Sequence, residues 1–365
     1  MLQILKRAAT VGLLCLVASA CSSSSEGDVK CTDGVCAPKA VFAKGIIKMI
    51  LVTPETVYAA DGSHCGVYAA AKPIEENARV LATDACGVSS LARTDWGIYW
   101  STLIRKDIAD TNAKGVLAWV PDGASTPTVV DATLSKPGGI AAIGDTVFVA
   151  VGDGIRMLSR GATQLEPVID ATEPHALRSY GGALYWQDGF GDIYSWRTGE
   201  GKATKLVTGS PTDAIEGSPP SLNQDGRFVV GASGIYWLSG EFFGQGGDLL
   251  HVPLAGGKPE KLVDLGTEVM KSLTIDDGAV YWAAADSFLI PKKTTIHRFT
   301  LGSGATTATN KVVADFEAQA EALQSTPEGL YVAASQVLQL DAKNVGLKSY
   351  AGPLLFLPRN VLDQP

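Results

Sequence analysis

The residues of this sequence best able to do chemistry are four histidines and the cysteines Cys31, Cys36, Cys65 and Cys86. Glu173 stands two residues before His175, a spacing that could set an orienting carboxylate against an imidazole acting as general base. That pair would suit a hydrolase or lyase, whereas a solvated loop histidine is the plainer reading of the same residues. His251 and His297 occupy matching places in apolar stretches, Leu250-His251-Val252 and Ile296-His297-Arg298, and are read as structural. The near pair Cys31 and Cys36 is not spaced as CxxC, and no histidine lies nearer to it than His64, so no metal site is expected. An even number of thiols in an oxidising compartment reads as two disulfides, with three connectivities open. No phosphate-cradling glycine loop, serine nucleophile elbow or strong carboxylate cluster stands out, and no cofactor is implied.

Cys21 belongs to a different chemistry. Lys6 and Arg7 precede an apolar run from Ala8 to Ala18, broken only by Thr10 and Gly12. The run suffices for the core of a signal peptide and is too short to span a bilayer. It closes on Ala18-Ser19-Ala20-Cys21, which resembles the lipobox of bacterial lipoproteins, with Ala18 where leucine is commoner. The resemblance implies that residues 1–20 are a removed signal and that Cys21 carries a lipid anchor. Ser22, rather than aspartate, after the cysteine implies the outer membrane. The alternative is an ordinary secretory peptide cut nearby, leaving Cys21 a plain thiol. Residues 21–44 are then expected to form the lipidated cysteine and a flexible polar tether with a small Cys31/Cys36 loop.

The elements that must position these groups are legible as a repeat. A short strand centred on an aromatic residue recurs at Tyr58, Tyr99, Phe148, Tyr185, Tyr236, Tyr281 and Tyr331. The steps are roughly 37 to 51 residues, the range of a four-stranded propeller blade. Each copy follows an apolar strand and a turn, and precedes a second hairpin such as Asp248–Leu254 with Lys258–Val263. Consecutive aromatics such as Tyr185-Trp186 point to opposite faces of a strand, so both faces must be buried. The fold expected over residues 45–352 is therefore an all-β, single β-propeller of four-stranded blades, with 353–365 a C-terminal tail. Seven blades are counted; Arg227-Phe228-Val229-Val230, read as a separate strand, leaves six or eight open. A two-sheet sandwich would not produce so regular a repeat. Leu184-Tyr185-Trp186-Gln187-Asp188 resembles the YWTD pattern. Residues 45–350 are similar to YWTD and TolB-like propellers and to bacterial lipoproteins that carry such blades. That likeness implies architecture rather than function.

In such a ring the second-to-third-strand links and the blade-to-blade links share one rim. The residues singled out there as a binding face are Arg105, Lys106, Phe190, Glu241, Phe242, Phe243, Phe288 and Lys292. Aromatics in solvent-side loops usually anchor a partner, although Phe242, Phe243 and Phe288 could equally fold back over the central channel. The same layout brings the start of the third strand of the first blade close to the end of the fourth. Cys65–Cys86 is therefore the preferred pairing, with Cys31–Cys36 as the other. The formal net charge is −8, with no basic run, which argues against nucleic acid as a partner. The function expected is non-catalytic binding or scaffolding of an envelope protein or glycan. The alternative is a propeller hydrolase or lyase built on His175 and Glu173.

Overall fold

A computed structural model describes residues 31–32, 35–36, 39–43, 45–62, 64–74, 78–104, 113–189, 191–208, 228–239, 247–266, 268–287, 293–301, 310–340, 347–350 and 352–363. The chain forms seven four-stranded antiparallel blades in a ring, a seven-bladed β-propeller. Among the described residues the one α-helix is a single turn, Arg359–Leu362.

The recurring aromatic strand is the second strand of each blade, and its two faces explain its composition. Tyr185 packs into the cluster shared by blades four and five, whereas the next residue, Trp186, packs into the cluster shared by blades three and four. Tyr281 and Trp282 divide in the same way between the blade six–seven and five–six interfaces. Tyr58 and Ala59 divide between the one–two and seven–one interfaces. Each pair of neighbouring blades thus has its own apolar cluster, and the blade seven–one cluster closes the circle. Side-chain alternation along a strand and burial of both sheet faces together require this arrangement.

The turns follow from local chemistry. Gly181 and Gly182, both at positive φ, make a two-residue hairpin between Tyr180 and Ala183. Such hairpins need left-handed residues to match the twist of the flanking strands. Phe228–Gly231 pairs with Gly234–Leu238 as the first strand of blade five, so the ambiguous stretch adds no blade.

The innermost strand of each blade leaves one backbone edge unpaired beside the channel, and neighbouring inner strands cap it with side chains. The Gln324 amide accepts from Val52 N at 2.7 Å and donates to Val52 O at 3.0 Å, joining blades seven and one. Ser272 Oγ accepts from Leu323 N, Thr274 Oγ1 from Ser325 N, and Ser90 Oγ from Ile140 N, each at 3.1 Å. Unpaired buried backbone groups are costly, so these bonds help to fix the blades relative to one another.

Two expected boundaries are corrected. Residues 39–43, assigned to the tether, form the outermost strand of blade seven, where they pair with Pro353–Pro358. That partner, assigned to a C-terminal tail, is the blade's third strand and pairs with Gly329–Ala333. Both ends of the chain build one blade, so the ring is closed by pairing between its ends. Upstream, Val35–Cys36 touches the outer strand of blade six through a parallel bridge, Cys36 to Ala314.

Candidate functional site

Antiparallel alternation sorts the connections onto two rims. One rim carries the first-to-second-strand turns, all tight, such as 144–145 and 181–182. The other carries the blade-to-blade links and the second-to-third-strand links, the latter running from 152–153 in blade three to 239–247 in blade five and longer still in blade seven. In blade seven the backbone of this link extends as a hairpin, with Gln336–Leu340 paired to Leu347–Tyr350.

Arg105, Lys106, Phe190, Glu241, Phe242, Phe243, Phe288 and Lys292 lie outside the described residues, as does Cys21. The strands that flank them, ending at Ile104, Gln187, Leu238 and Ala285, all end on the second rim.

Cys65 and Cys86 are disulfide-bonded, with Cα atoms 4.0 Å apart. The bond ties the start of the third strand of blade one to the segment that enters blade two. Cys31 and Cys36 are register partners across a two-strand pair, and their side chains lie outside the described residues.

The Glu173–His175 pair is corrected. His175 Nδ1 is 2.9 Å from the backbone carbonyl of Glu173, which can only accept, so Nδ1 carries the proton. The Glu173 carboxylate instead pairs with Lys136, on the preceding blade-to-blade link. The carboxylate therefore does not orient the imidazole. His251 packs on Tyr236 at a tilt of 30° with ring centroids 4.6 Å apart, and its Nε2 donates to the Ser233 carbonyl at 3.0 Å. His297 stacks on Trp282 at 5.0 Å. His64 Nδ1 meets the buried Asp61 carboxylate at 2.7 Å.

A charged group at the channel mouth, on the loop rim, was not foreseen from the sequence. Lys48, Lys271 and Glu321 each occupy a register shift near the start of an inner strand, in blades one, six and seven. A bulge re-aims the side chain of its extra residue. Glu321 Oε1 accepts from Lys48 Nζ at 2.6 Å and from Ser335 Oγ at 2.5 Å. Its Oε2 is buried with no hydrogen-bond partner among the described residues, and the side chain is 1% exposed. Burial holds the Lys271 ammonium below its ordinary value; Glu321 works against that shift and Lys48 with it. The signal available in the sequence was charge inside an otherwise apolar strand: Ile47-Lys48-Met49, Met270-Lys271-Ser272 and Ala320-Glu321-Ala322.

No family model and no curated protein matches the sequence. Solved structures do. The WD40 repeats of RRP9 superpose with a TM-score of 0.61 at 10% identity, covering 87% of this chain and 99% of that one. YCF48 from Cyanidioschyzon merolae gives 0.57 at 14% identity, covering 89% and 99%. PorZ, a surface component of the type-IX secretion system of Porphyromonas gingivalis, gives 0.52 at 14% identity, covering 86% of this chain and 39% of that one. At such identities the shared property is the fold, a propeller ring of antiparallel blades.

Proposed function

We propose that this chain is a lipid-anchored, non-catalytic binding module that holds a protein or glycan of the cell envelope, at the outer membrane, against its loop rim. The observation that carries this reading is convergence. The links of blades two, four, five and six that hold the singled-out aromatic and charged residues are flanked by strands ending on one rim. The charged group at the channel mouth lies on the same rim. Fold likeness does not choose a function, since the similar rings serve different systems. The anchor restricts the partner. About ten residues separate Cys21 from the Cys31–Thr32 strand, a reach of at most about 35 Å.

The test places a photo-crosslinking amino acid at Phe243 and, separately, at Asp145 on the opposite rim, in cells making the full-length protein with Cys21 intact or as Cys21→Ala. A discrete adduct from position 243 alone, together with release of Cys21→Ala from membranes, is expected. No adduct from 243, or equal adducts from both positions, overturns the loop-rim assignment. Sedimentation of Cys21→Ala with membranes overturns the anchor.

A further inference from the structure

On the rim opposite the loops, a cleft of about 660 Å³ opens between blades one and two. It coincides with a departure from the pattern that most blades follow. In each blade the third strand places one residue directly across from the recurring aromatic of the second strand. Trp119 stacks on Tyr99 with ring centroids 5.5 Å apart, His251 lies on Tyr236 at 4.6 Å, and Phe356 lies on Tyr331 at 4.7 Å. Met157 pairs with Phe148, and Arg298 Nε donates to the Tyr281 hydroxyl at 3.3 Å. Blade four has Ser195 opposite Tyr185, and Tyr180 packs into the same cluster. Blade one has Ala69 opposite Tyr58, with Ala71 two residues on. Both alanines line the cleft. Where most other blades place a bulky side chain on the ring, blade one leaves space.

The walls are polar and of both signs. Arg93 spans to Asp122 at 2.6 Å and to the Gly97 carbonyl at 3.1 Å, and Arg79 donates to the Ala124 carbonyl at 2.7 Å. Glu55 and Asp95, both exposed, complete the lining with acceptors. Guanidiniums only donate and carboxylates only accept. With both at the walls, neither an anion nor a cation meets a surface of one opposite sign. A neutral ligand whose hydroxyls donate and accept side by side matches such walls. Its C–H faces match a floor of Tyr58 and the two alanines.

We propose that this cleft binds a neutral saccharide unit of one or two rings. The site is separate from the loop rim and does not rest on the function proposed for that rim.

The probes are glucose, maltose, N-acetylglucosamine and chitobiose at millimolar concentration, added to the purified mature protein in detergent solution. Saturation-transfer NMR and the shift in Tm are the readouts, with glutamate and lysine as charged controls. Binding of at least one sugar by the wild type is expected. Ala69→Trp, which installs in blade one the residue that blade two carries, should abolish that binding. Arg93→Gln should weaken it by about tenfold. Should Ala69→Trp fail to fold by circular dichroism, Ala69→Met, which installs the residue that blade three carries, and Arg93→Gln decide. The proposal is overturned if no sugar binds the wild type or if a charged control binds in their place. It is also overturned if the folded variants bind as well as the wild type.

Discussion

His297 shows how a residue legible only as a strand histidine acquires a measurable property from its neighbours. It is buried against Trp282, ring on ring, with Nε2 3.2 Å from the Glu268 carboxylate. Burial lowers its pKa below the ordinary 6.5, and Glu268 only partly opposes that effect. In the folded state the neutral ring is favoured, whereas the unfolded chain takes up a proton more readily. Stability from this group is therefore complete above about pH 6.5 and is lost as pH falls through the lower folded value. A tenfold difference in proton affinity between the two states corresponds to about 1.4 kcal/mol. His297→Phe keeps an aromatic ring over Trp282 and removes the titration. Urea unfolding of both proteins at pH 7.5 and pH 5 should show the wild type losing more stability than the variant over that interval. Equal losses would mean that His297 does not titrate differently on folding.

The blade-to-blade links make the corresponding case for elements. Gly45, Gly87 and Gly266 hold left-handed backbone in the links that enter blades one, two and six. Lys136 and Glu173 do the same in the links that enter blades three and four, and pair with each other across them. The left-handed turn is a recurring part of the links rather than strain confined to a catalytic site, and glycine is its unstrained occupant. For a residue with a Cβ the left-handed region costs roughly 1–2 kcal/mol. The Lys136–Glu173 pair is half exposed, so it returns at most about 1 kcal/mol. Glu173→Gly loses the pair and relieves the strain, whereas Glu173→Ala loses the pair and keeps it. The glycine variant should therefore be the more stable of the two by thermal unfolding, and within about 1 kcal/mol of the wild type. A glycine variant less stable than the alanine variant would contradict this account of the link. The Tyr99-Trp100 type of strand was legible because each residue of the pair serves a different interface and both demand apolar character. Whether the Glu173 carboxylate orients His175 stayed open in the sequence because two residues of spacing say nothing about which oxygen of a glutamate faces the ring. The cleft floor was harder still, since Ala69 departs from the pattern only in register with the third strands of other blades.

At the scale of the whole molecule, ring closure depends on a segment that looked like tether. Lys39–Ala43 pairs with Pro353–Pro358 across almost the full length of the chain, a contact that no local pattern announces. Five residues without turn signals or a partnered hairpin read as linker, and the strand appears only once the last blade is seen to have three strands from the C-terminal end. Without it, blade seven would expose the edge of Pro353–Pro358, and the blade seven–one cluster would have to hold the ring with less support. Exposed edges of that kind invite pairing with other chains. Two truncations of the mature protein separate tether from strand. Removal of residues 22–36 spares the pairing and should leave a cooperative unfolding transition close to that of the wild type. Removal of residues 22–43 deletes the strand and should lower the midpoint, broaden the transition and promote association on size-exclusion chromatography. If both truncations unfold alike, closure does not depend on the N-terminal strand. If the longer one alone fails, the N-terminal strand is what closes the ring, and the lipid proposed on Cys21 would lie seventeen residues, 22–38, upstream of it.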